Sequence, residues 1–380
     1  MKRKRRFLPH ALSIVLFFLL FTVVTLSLSI HSTLANEEGT PRKVLLELFT
    51  ATWCPGCPYA DAAADMLSVD YGPERLSVIE YHVSMLDSLS TDKTDARGQD
   101  YGWSETGLPA SWVDGVEDAN SAEQLTVEYL RSFYGDVIDR RLKTPSPIGI
   151  SLSLTEHSRN LTVSVNFEKS LEIVISKPVF SRYVLFENSV VEEGEIYNYV
   201  ARAIEERDFS YSDLPYSEDV VFYLDSSWNP SNMGVVVFVQ IEQTEEVLQS
   251  ASSVLGQRPI VNITTNIAGK GMSQTTRIEG TASEDSEKVV LRIDNKLYET
   301  AIGSTSWHYD IDPSKLSDGE HTLTIRAYSD SLVYSYPVQV SFTTTSSQTE
   351  YVIVAIVVLL AISVLLILLI ARSRKKRRKE

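Results

Sequence analysis

The chain has 380 residues, with 35 lysines and arginines against 50 aspartates and glutamates, which gives a net charge of −15. This length is too great for one typical hydrophobic core, so we expect two or three domains. Five basic residues lie at the N-terminus, and seven basic residues and one acidic residue lie after residue 371. The part of the chain between these two ends therefore has 23 basic and 49 acidic residues. An acidic middle of this kind argues against nucleic acid as a partner, because phosphate groups require basic side chains.

The N-terminus carries a targeting pattern. An apolar run over residues 7–30 follows the basic residues 2–6, and Thr33 and Ala35 supply small side chains at a cleavage position. This pattern predicts a signal peptide over residues 1–35. An uncleaved signal anchor is the alternative, because the apolar run is longer than usual for a signal peptide.

Both cysteines of the chain lie in the segment Trp53-Cys-Pro-Gly-Cys-Pro58. The order of an apolar run, this segment and an alanine-rich run predicts a strand over 43–49, a turn and a helix over 54–69. At a helix N-terminus, unpaired N–H groups and the helix dipole favour a thiolate and lower the pKa of a cysteine. The pattern therefore predicts a thiol–disulfide redox site formed by Cys54 and Cys57.

Two other interpretations of the cysteine pair stay open. Zinc normally takes four ligands, and in this region only His82 would add to the two cysteines. A permanent structural disulfide would close a very short loop, which constrains the unfolded chain little. Asp61 and Asp65, at helical spacing, are expected on a solvated face, and His82 is expected to be structural. We expect no metal and no cofactor.

Further elements follow in the first 143 residues. They are a strand over 76–83, the segment Gly107-Leu-Pro-Ala110 before a short strand, and an amphipathic helix within 121–142. With the cysteine segment, this order resembles the thioredoxin superfamily over residues 40–143, and the residues before Cys54 are similar to its Omp28-type branch. The resemblance implies an α/β domain.

The resemblance also implies roles for individual residues. Cys54 would be the nucleophile, Cys57 the resolving cysteine and Pro109 a cis-proline, with Trp53 and Leu108 beside the substrate. A Cys54–Cys57 disulfide would exchange with protein thiols or disulfides. A separate redox partner would reset it, because the chain has no second cysteine pair. The family often has a buried acid where this chain has Leu48, whereas Glu47 faces the opposite side by strand alternation.

The residues after 143 read as β structure. A Pro-containing boundary at 144–147 precedes alternating segments over 147–256, which predict an antiparallel β-sandwich. Within this region Glu195–Arg207 is predicted as a short helix. Residues 259–344 contain short strands separated by turns and resemble an immunoglobulin-like (Ig-like) module of prokaryotic surface proteins, without the inter-sheet cysteines.

The C-terminus predicts membrane integration. Residues 351–371 are apolar and uncharged, and at about 1.5 Å per residue they are long enough to span a ~30 Å hydrocarbon layer. The basic tail, 372–380, is then cytoplasmic by the positive-inside rule. A stop-transfer signal explains this tail, and lipid recognition is the alternative. We expect a single-pass protein of the cell membrane after signal removal, with its ectodomain outside.

The sequence thus predicts a multidomain protein of α/β plus all-β class: a thioredoxin-like domain, a β-sandwich, an Ig-like domain and a transmembrane helix. The predicted function is that of a membrane-anchored extracytoplasmic thiol–disulfide oxidoreductase or isomerase. The alternative is a cell-surface binding or adhesion protein that uses a thioredoxin-like scaffold with Ig-like modules.

Overall fold

The computed structural model describes residues 39–345, except 104–106, 119–123, 176 and 295. Within this part the α-helices are α1 (Cys57–Tyr71), α2 (Asp92–Asp100) and α3 (Val127–Arg141). The strands are β1 (Val44–Thr50), β2 (Leu76–His82), β3 (Ala110–Val113), β4 (Glu117–Asp118), β5 (Ile148–His157), β6 (Asn160–Lys169), β7 (Val179–Glu187), β8 (Val190–Glu192), β9 (Glu195–Tyr197), β10 (Val200–Phe209), β11 (Tyr216–Tyr223), β12 (Met233–Ile241), β13 (Val247–Val254), β14 (Val261–Ile263), β15 (Gly271–Met272), β16 (Thr276–Ala282), β17 (Lys288–Ile293), β18 (Glu299–Thr300), β19 (Ser306–Ile311), β20 (Gly319–Tyr328) and β21 (Val338–Thr344).

One large sheet joins strands from two predicted domains. Its order is β13-β12-β7-β10-β2-β1-β3-β4. β1 pairs with β2 in parallel and with β3 in antiparallel orientation. β2 then meets β10 in parallel, with Val200 opposite Glu80. Strands from both sides of residues 143–147 therefore belong to the same sheet.

The predicted fold class, an α/β domain followed by separate β domains, is wrong for the described residues. The described residues contain far more strand than helix, with α1–α3 as their α-helices, and fit β-sandwich and Ig-like architecture. The early alternation of strands and helices suggested a small α/β unit, but β10 pairs with β2 and extends its sheet.

Three predicted segments lie outside the described residues. They are the signal segment 1–35, the membrane-spanning segment 351–371 and the basic tail 372–380. Among the described helices, none combines the length and the apolar character needed to cross a membrane.

The two faces of β1 belong to different hydrophobic cores. Leu46 and Leu48 pack with α1 and α3, whereas Leu45 and Phe49 pack with residues of β7, β10 and β12 on the other face. Burial on both faces explains why β1 is a continuous apolar run. A third core lies between β7, β12 and the three-stranded sheet β11-β6-β5.

The C-terminal part forms two packed sheets, β14-β16-β19 and β15-β21-β20-β17-β18. Their shared core includes Trp307, Leu323 and Phe342. The side chains of β17 and β20 also contact Val69 of α1 through Val290 and Tyr328. This part of the chain therefore packs directly against the helix that follows the cysteines.

Candidate functional site

The two cysteines form a disulfide bond at the N-terminal end of α1. The helix begins at Cys57 and not at residue 54, because residues 54–56 form the turn and Pro58 occupies its first turn. Proline fits that position, since the first N–H groups of a helix have no partner within it. Cys57 is fully buried and Cys54 is 4% exposed. Cys54 is therefore the more accessible of the two.

The other residues predicted for this site surround the disulfide. The Leu108–Pro109 peptide bond is cis. Leu108 packs against Ala51 and both cysteines. The Cδ atom of Pro109 lies 3.4 Å from the position that a Cβ atom at Gly56 would occupy. Trp53, next to Cys54, is 49% exposed. The structure therefore brings Trp53, Leu108 and Pro109 together around the two cysteines.

The first turns of α1 also carry two carboxylates, and the prediction of a solvated face for them is wrong. Asp61 lies one turn after Cys57, and Asp65 lies one turn further. Oδ1 of Asp65 is buried without a hydrogen-bond partner among the described residues, and both oxygens of Asp61 are buried beside the Thr50 hydroxyl. The other oxygen of Asp65 accepts a hydrogen bond of 2.8 Å from Asn198 Nδ2. Residues that precede β10 thus cover this face of α1.

A third carboxylate faces the same space from the sheet. Glu80 of β2 pairs in register with Leu48, so it points toward α1 as Leu48 does. It is fully buried, and neither of its oxygens has a partner in the described part of the chain. Burial raises the pKa of Glu80 well above its ordinary value, and the charges of Asp61 and Asp65 add to the rise. Glu80 therefore holds a proton more strongly than an exposed glutamate does.

Asp61 behaves similarly. Burial raises its pKa from 3.8 to about 7, although a hydrogen bond from the Thr50 hydroxyl opposes the rise, and the negative charges of Asp65 and Asp87 add to it. Burial also raises the pKa of Asp65, to about 6. The face of α1 after Cys57 therefore carries carboxyl groups whose pKa values lie closer to neutral pH than those of exposed aspartates. Sequence reasoning missed it because the residues that cover Asp61 and Asp65 come from distant segments.

His82 connects the end of β2 to the cysteine segment. Its Nδ1 atom lies 2.8 Å from Oδ2 of Asp87, and its Nε2 atom is buried without a partner among the described residues. The same Asp87 oxygen accepts a hydrogen bond of 2.9 Å from the Thr52 N–H group. His82 and Asp87 therefore position the loop before Trp53.

Glu47 lies on the opposite face of the sheet. Its Oε1 atom accepts a hydrogen bond from Arg97 Nε at 2.9 Å. Its Oε2 atom accepts one from Arg97 Nη2 at 3.0 Å and one from the Tyr101 hydroxyl at 2.7 Å. Glu47 is therefore a paired structural carboxylate and does not face the cysteines.

The chemistry that this arrangement offers is that of a disulfide bond. A disulfide at a helix N-terminus can exchange with thiols that reach it, and the helix favours the thiolate that is released. Within the described ranges, no group of three or more His, Cys, Asp or Glu side chains is placed to hold a metal ion.

Comparison with known protein families matches residues 259–325 to the bacterial Ig domain. The match confirms the predicted Ig-like region and covers less than half of the chain. No thioredoxin family is matched. No curated protein matches the chain. The described molecule is thus a mainly β protein that carries a bacterial Ig-like domain and a disulfide at a helix N-terminus.

Solved structures give distant likenesses. HBP35 of Porphyromonas gingivalis is 15% identical, over 81% of this chain and 99% of that chain, with a TM-score of 0.47. Protein AGR_C_4864 from Agrobacterium tumefaciens is 15% identical, over 58% of this chain and 95% of that chain, with a TM-score of 0.40. The fibronectin(III)-like modules of Clostridium thermocellum CbhA are 19% identical, over 23% of this chain and 98% of theirs, with a TM-score of 0.20. These likenesses are too distant to carry an argument about function.

Proposed function

We propose that this chain is a cell-surface binding protein that uses the eight-stranded sheet and the Ig-like domain together as a scaffold. The match of residues 259–325 to the bacterial Ig domain supports this proposal, because β-sandwich domains are frequent in cell-surface proteins. A fold alone does not define a function. The proposal therefore depends on how the Ig-like domain is attached.

The attachment of the Ig-like domain to α1 is the observation that carries the proposal. Glu74, just after α1, forms ion pairs with Arg292 at 2.8 Å and with Arg326 at 3.1 Å. Tyr298 donates a hydrogen bond of 2.6 Å to the same carboxylate, and it packs in a buried cluster with Val69. A domain held in this way presents one continuous surface, and preorganisation of that kind lowers the entropy cost of binding.

Chemical cross-linking of the full-length chain in its native cells tests the binding function. We expect the native chain and a Cys54→Ser/Cys57→Ser variant to recover the same partner proteins, since binding through a surface does not require thiols. Glu74→Ala should lower the yield, because it loosens the Ig-like domain. Arg277→Ala is the control, since it removes an exposed ion pair with Asp310. Loss of every partner in the variant without cysteines would contradict the binding function.

Thiol–disulfide exchange on protein substrates is a second candidate function. The observation in its favour is the position of the Cys54–Cys57 disulfide at the N-terminus of α1, with Cys54 slightly more exposed than the fully buried Cys57 and Trp53 exposed beside it. A helix N-terminus stabilises the thiolate of a cysteine and so activates it. This function requires no metal and no bound cofactor.

In the oxidising direction, a substrate thiolate attacks Sγ of Cys54, the Cys54–Cys57 bond breaks, and Cys57 leaves as a thiolate and takes up a proton. A second substrate thiolate attacks the substrate sulfur of the mixed disulfide, and Cys54 leaves as a thiolate. The substrate dithiol has lost two electrons, which the cysteine pair has gained. A separate dithiol–disulfide protein must reoxidise the pair, because the chain has only two cysteines.

Two measurements test the exchange function. Cys54→Ser should abolish insulin reduction and oxidative refolding by the full-length chain, and undiminished activity in both assays would exclude exchange. Cys57→Ala should accumulate mixed disulfides with other proteins in cells, because the trapped intermediate lacks its resolving thiol. If no mixed disulfides form while cross-linking still recovers partners, binding is the function.

A further inference from the structure

A two-stranded hairpin near the disulfide has one packed face and one open face. β8 and β9 pair so that Val190 lies opposite Tyr197 and Val191 lies opposite Ile196. Val190 and Tyr197 pack with Leu89 in a buried cluster. Val191 and Ile196 are 67% and 66% exposed. The inner pair thus fixes the hairpin to the molecule, and the outer pair presents two β-branched side chains to solvent.

The loop after β2 presents two more apolar side chains. Met85 is 93% exposed and Leu86 is 79% exposed. The loop is nevertheless held in place, because the Asp87 carboxylate accepts hydrogen bonds from the Thr52 and Leu89 N–H groups, each at 2.9 Å. The two apolar side chains are therefore presented by a fixed backbone.

Hydrogen bonds connect this loop to the hairpin and to the cysteine segment. The Ser88 hydroxyl donates to the Glu192 carboxylate at 2.5 Å, and Thr52, bonded to the loop, directly precedes Trp53. Single exposed apolar residues are normal on a protein surface, whereas several on segments that are bonded to one another are a candidate interaction site. We name this group the apolar rim, and it consists of Trp53, Met85, Leu86, Val191 and Ile196.

The side chains of the hairpin indicate which kind of partner could bind the apolar rim. Side chains alternate along a strand, so Val191 and Ile196 face one side of the hairpin and Glu192 and Glu195 face the other. Glu193, in the turn, adds a third negative charge. In the described chain β8 pairs with β9 alone, so both are edge strands whose outer N–H and C=O groups can pair with an extended chain.

We propose that the apolar rim and the hairpin edge bind an extended polypeptide segment of a partner protein in which apolar side chains alternate with lysine or arginine. Such a segment would place its apolar side chains next to Val191 and Ile196 and its cations next to Glu192 and Glu195. This inference rests on the proposed binding function and names the chemistry of the partner. It does not require the disulfide to react.

Peptide binding to the full-length oxidised chain tests this inference. The probes are three cysteine-free synthetic peptides of equal length, which alternate Val with Lys, Val with Glu, and Ser with Lys. Fluorescence anisotropy should show that the Val–Lys peptide binds at least about tenfold more tightly than either of the others, because only it matches both faces of the hairpin. Its affinity should fall as salt rises.

A matched pair of variants locates the binding site. Val191→Thr/Ile196→Thr keeps β-branched shape and strand propensity but removes the apolar surface, and it should weaken binding of the Val–Lys peptide by about tenfold or more. Val221→Thr/Ile302→Thr changes an exposed Val and an exposed Ile elsewhere and should leave the affinity unchanged. Circular dichroism checks that both variants are folded.

Three outcomes would overturn the inference: equal binding of the Val–Glu peptide, unchanged affinity in Val191→Thr/Ile196→Thr, or equal losses in both double variants. If the Val–Lys peptide does not bind but cross-linking still recovers partner proteins, this inference fails and the binding function stands. If cross-linking also recovers no partners, both fail.

Discussion

The two faces of β1 and β2 bury carboxylates in opposite ways. On one face Glu47 is bonded to Arg97 and Tyr101. On the other face the buried oxygens of Glu80 have no partner in the described part of the chain, and no cation pairs with Asp61 there. A buried charge with a good partner can be retained, whereas an unpaired carboxylate takes up a proton. The charge of these buried carboxylates therefore depends on whether a cation pairs with them, and not on burial alone.

The largest expected effect comes from removing the partner on the paired face. Arg97→Ala leaves Glu47 buried without its cation, and we expect a loss of about 3–5 kcal/mol in the free energy of unfolding. Urea unfolding of the full-length chain measures it. The control is Arg277→Ala, whose ion pair with Asp310 is exposed and whose loss should be undetectable. Equal effects of the two variants would show that Glu47 does not depend on Arg97.

The pH dependence of stability tests the unpaired face. Because the pKa of Asp61 is about 7 in the folded chain and near 3.8 when unperturbed, the folded state holds a proton that the unfolded state releases above pH 4. The contribution of Asp61 to stability should therefore be largest at about pH 4 and below, and it should fall as pH rises to about 7, by about 1.4 kcal/mol per pH unit for one such proton.

Asp61→Asn should make this decline shallower, because the amide cannot ionise. The variant should consequently gain stability relative to the native chain at pH 7 and gain little at pH 4. Asp219→Asn, at an exposed position of β11, is the control and should leave the profile unchanged. A profile that is identical in Asp61→Asn and the native chain would contradict the assignment of this proton to Asp61.

Glutamate-to-glutamine substitutions on the two faces should change the free energy of unfolding in opposite directions. Glu47→Gln loses charge-assisted hydrogen bonds to Arg97, and we expect it to lower stability by about 2–3 kcal/mol. Glu80→Gln removes the need to take up a proton on folding, because the pKa of Glu80 is raised in the folded chain, so it should raise stability at pH 8 and have a smaller effect at pH 5. Thermal unfolding at both pH values measures the pair, and equal signs would refute the comparison.

Strand alternation in the sequence places Glu47 on the face away from the cysteines, and the structure puts it there. Alternation cannot supply its partner, because Arg97 lies in α2, where the apolar pattern is weak. Asp61 and Asp65 look like a solvated pair in the sequence, since only their spacing is visible. They are buried because Asn198 and its neighbours cover α1, and no local pattern predicts that contact.

The hairpin is a second case in which tertiary contacts cannot be predicted from local sequence. Residues 195–207 are rich in Glu and Arg, and the sequence predicts a helix there, but they form β9 and most of β10. The prediction is wrong because β10 pairs along its length with β7 and also contacts β2, and these tertiary partners override local propensity. The sequence predicts Trp53, Cys54 and Cys57 as site residues because they lie together in one short motif. It does not predict the apolar rim, because the residues of the rim come from three separate segments.

The smallest expected effect concerns the disulfide itself. A bond that closes so short a loop constrains the unfolded chain little, so Cys54→Ala/Cys57→Ala should lose at most about 2 kcal/mol of stability. The decline of stability with rising pH should persist in this variant, because the raised pKa of Asp61 comes from burial and from the charges of Asp65 and Asp87. Urea unfolding between pH 4 and 8 measures both quantities. If the decline disappears together with the cysteines, the environment that raises the pKa of Asp61 depends on the disulfide and not on the sheet and α1 alone.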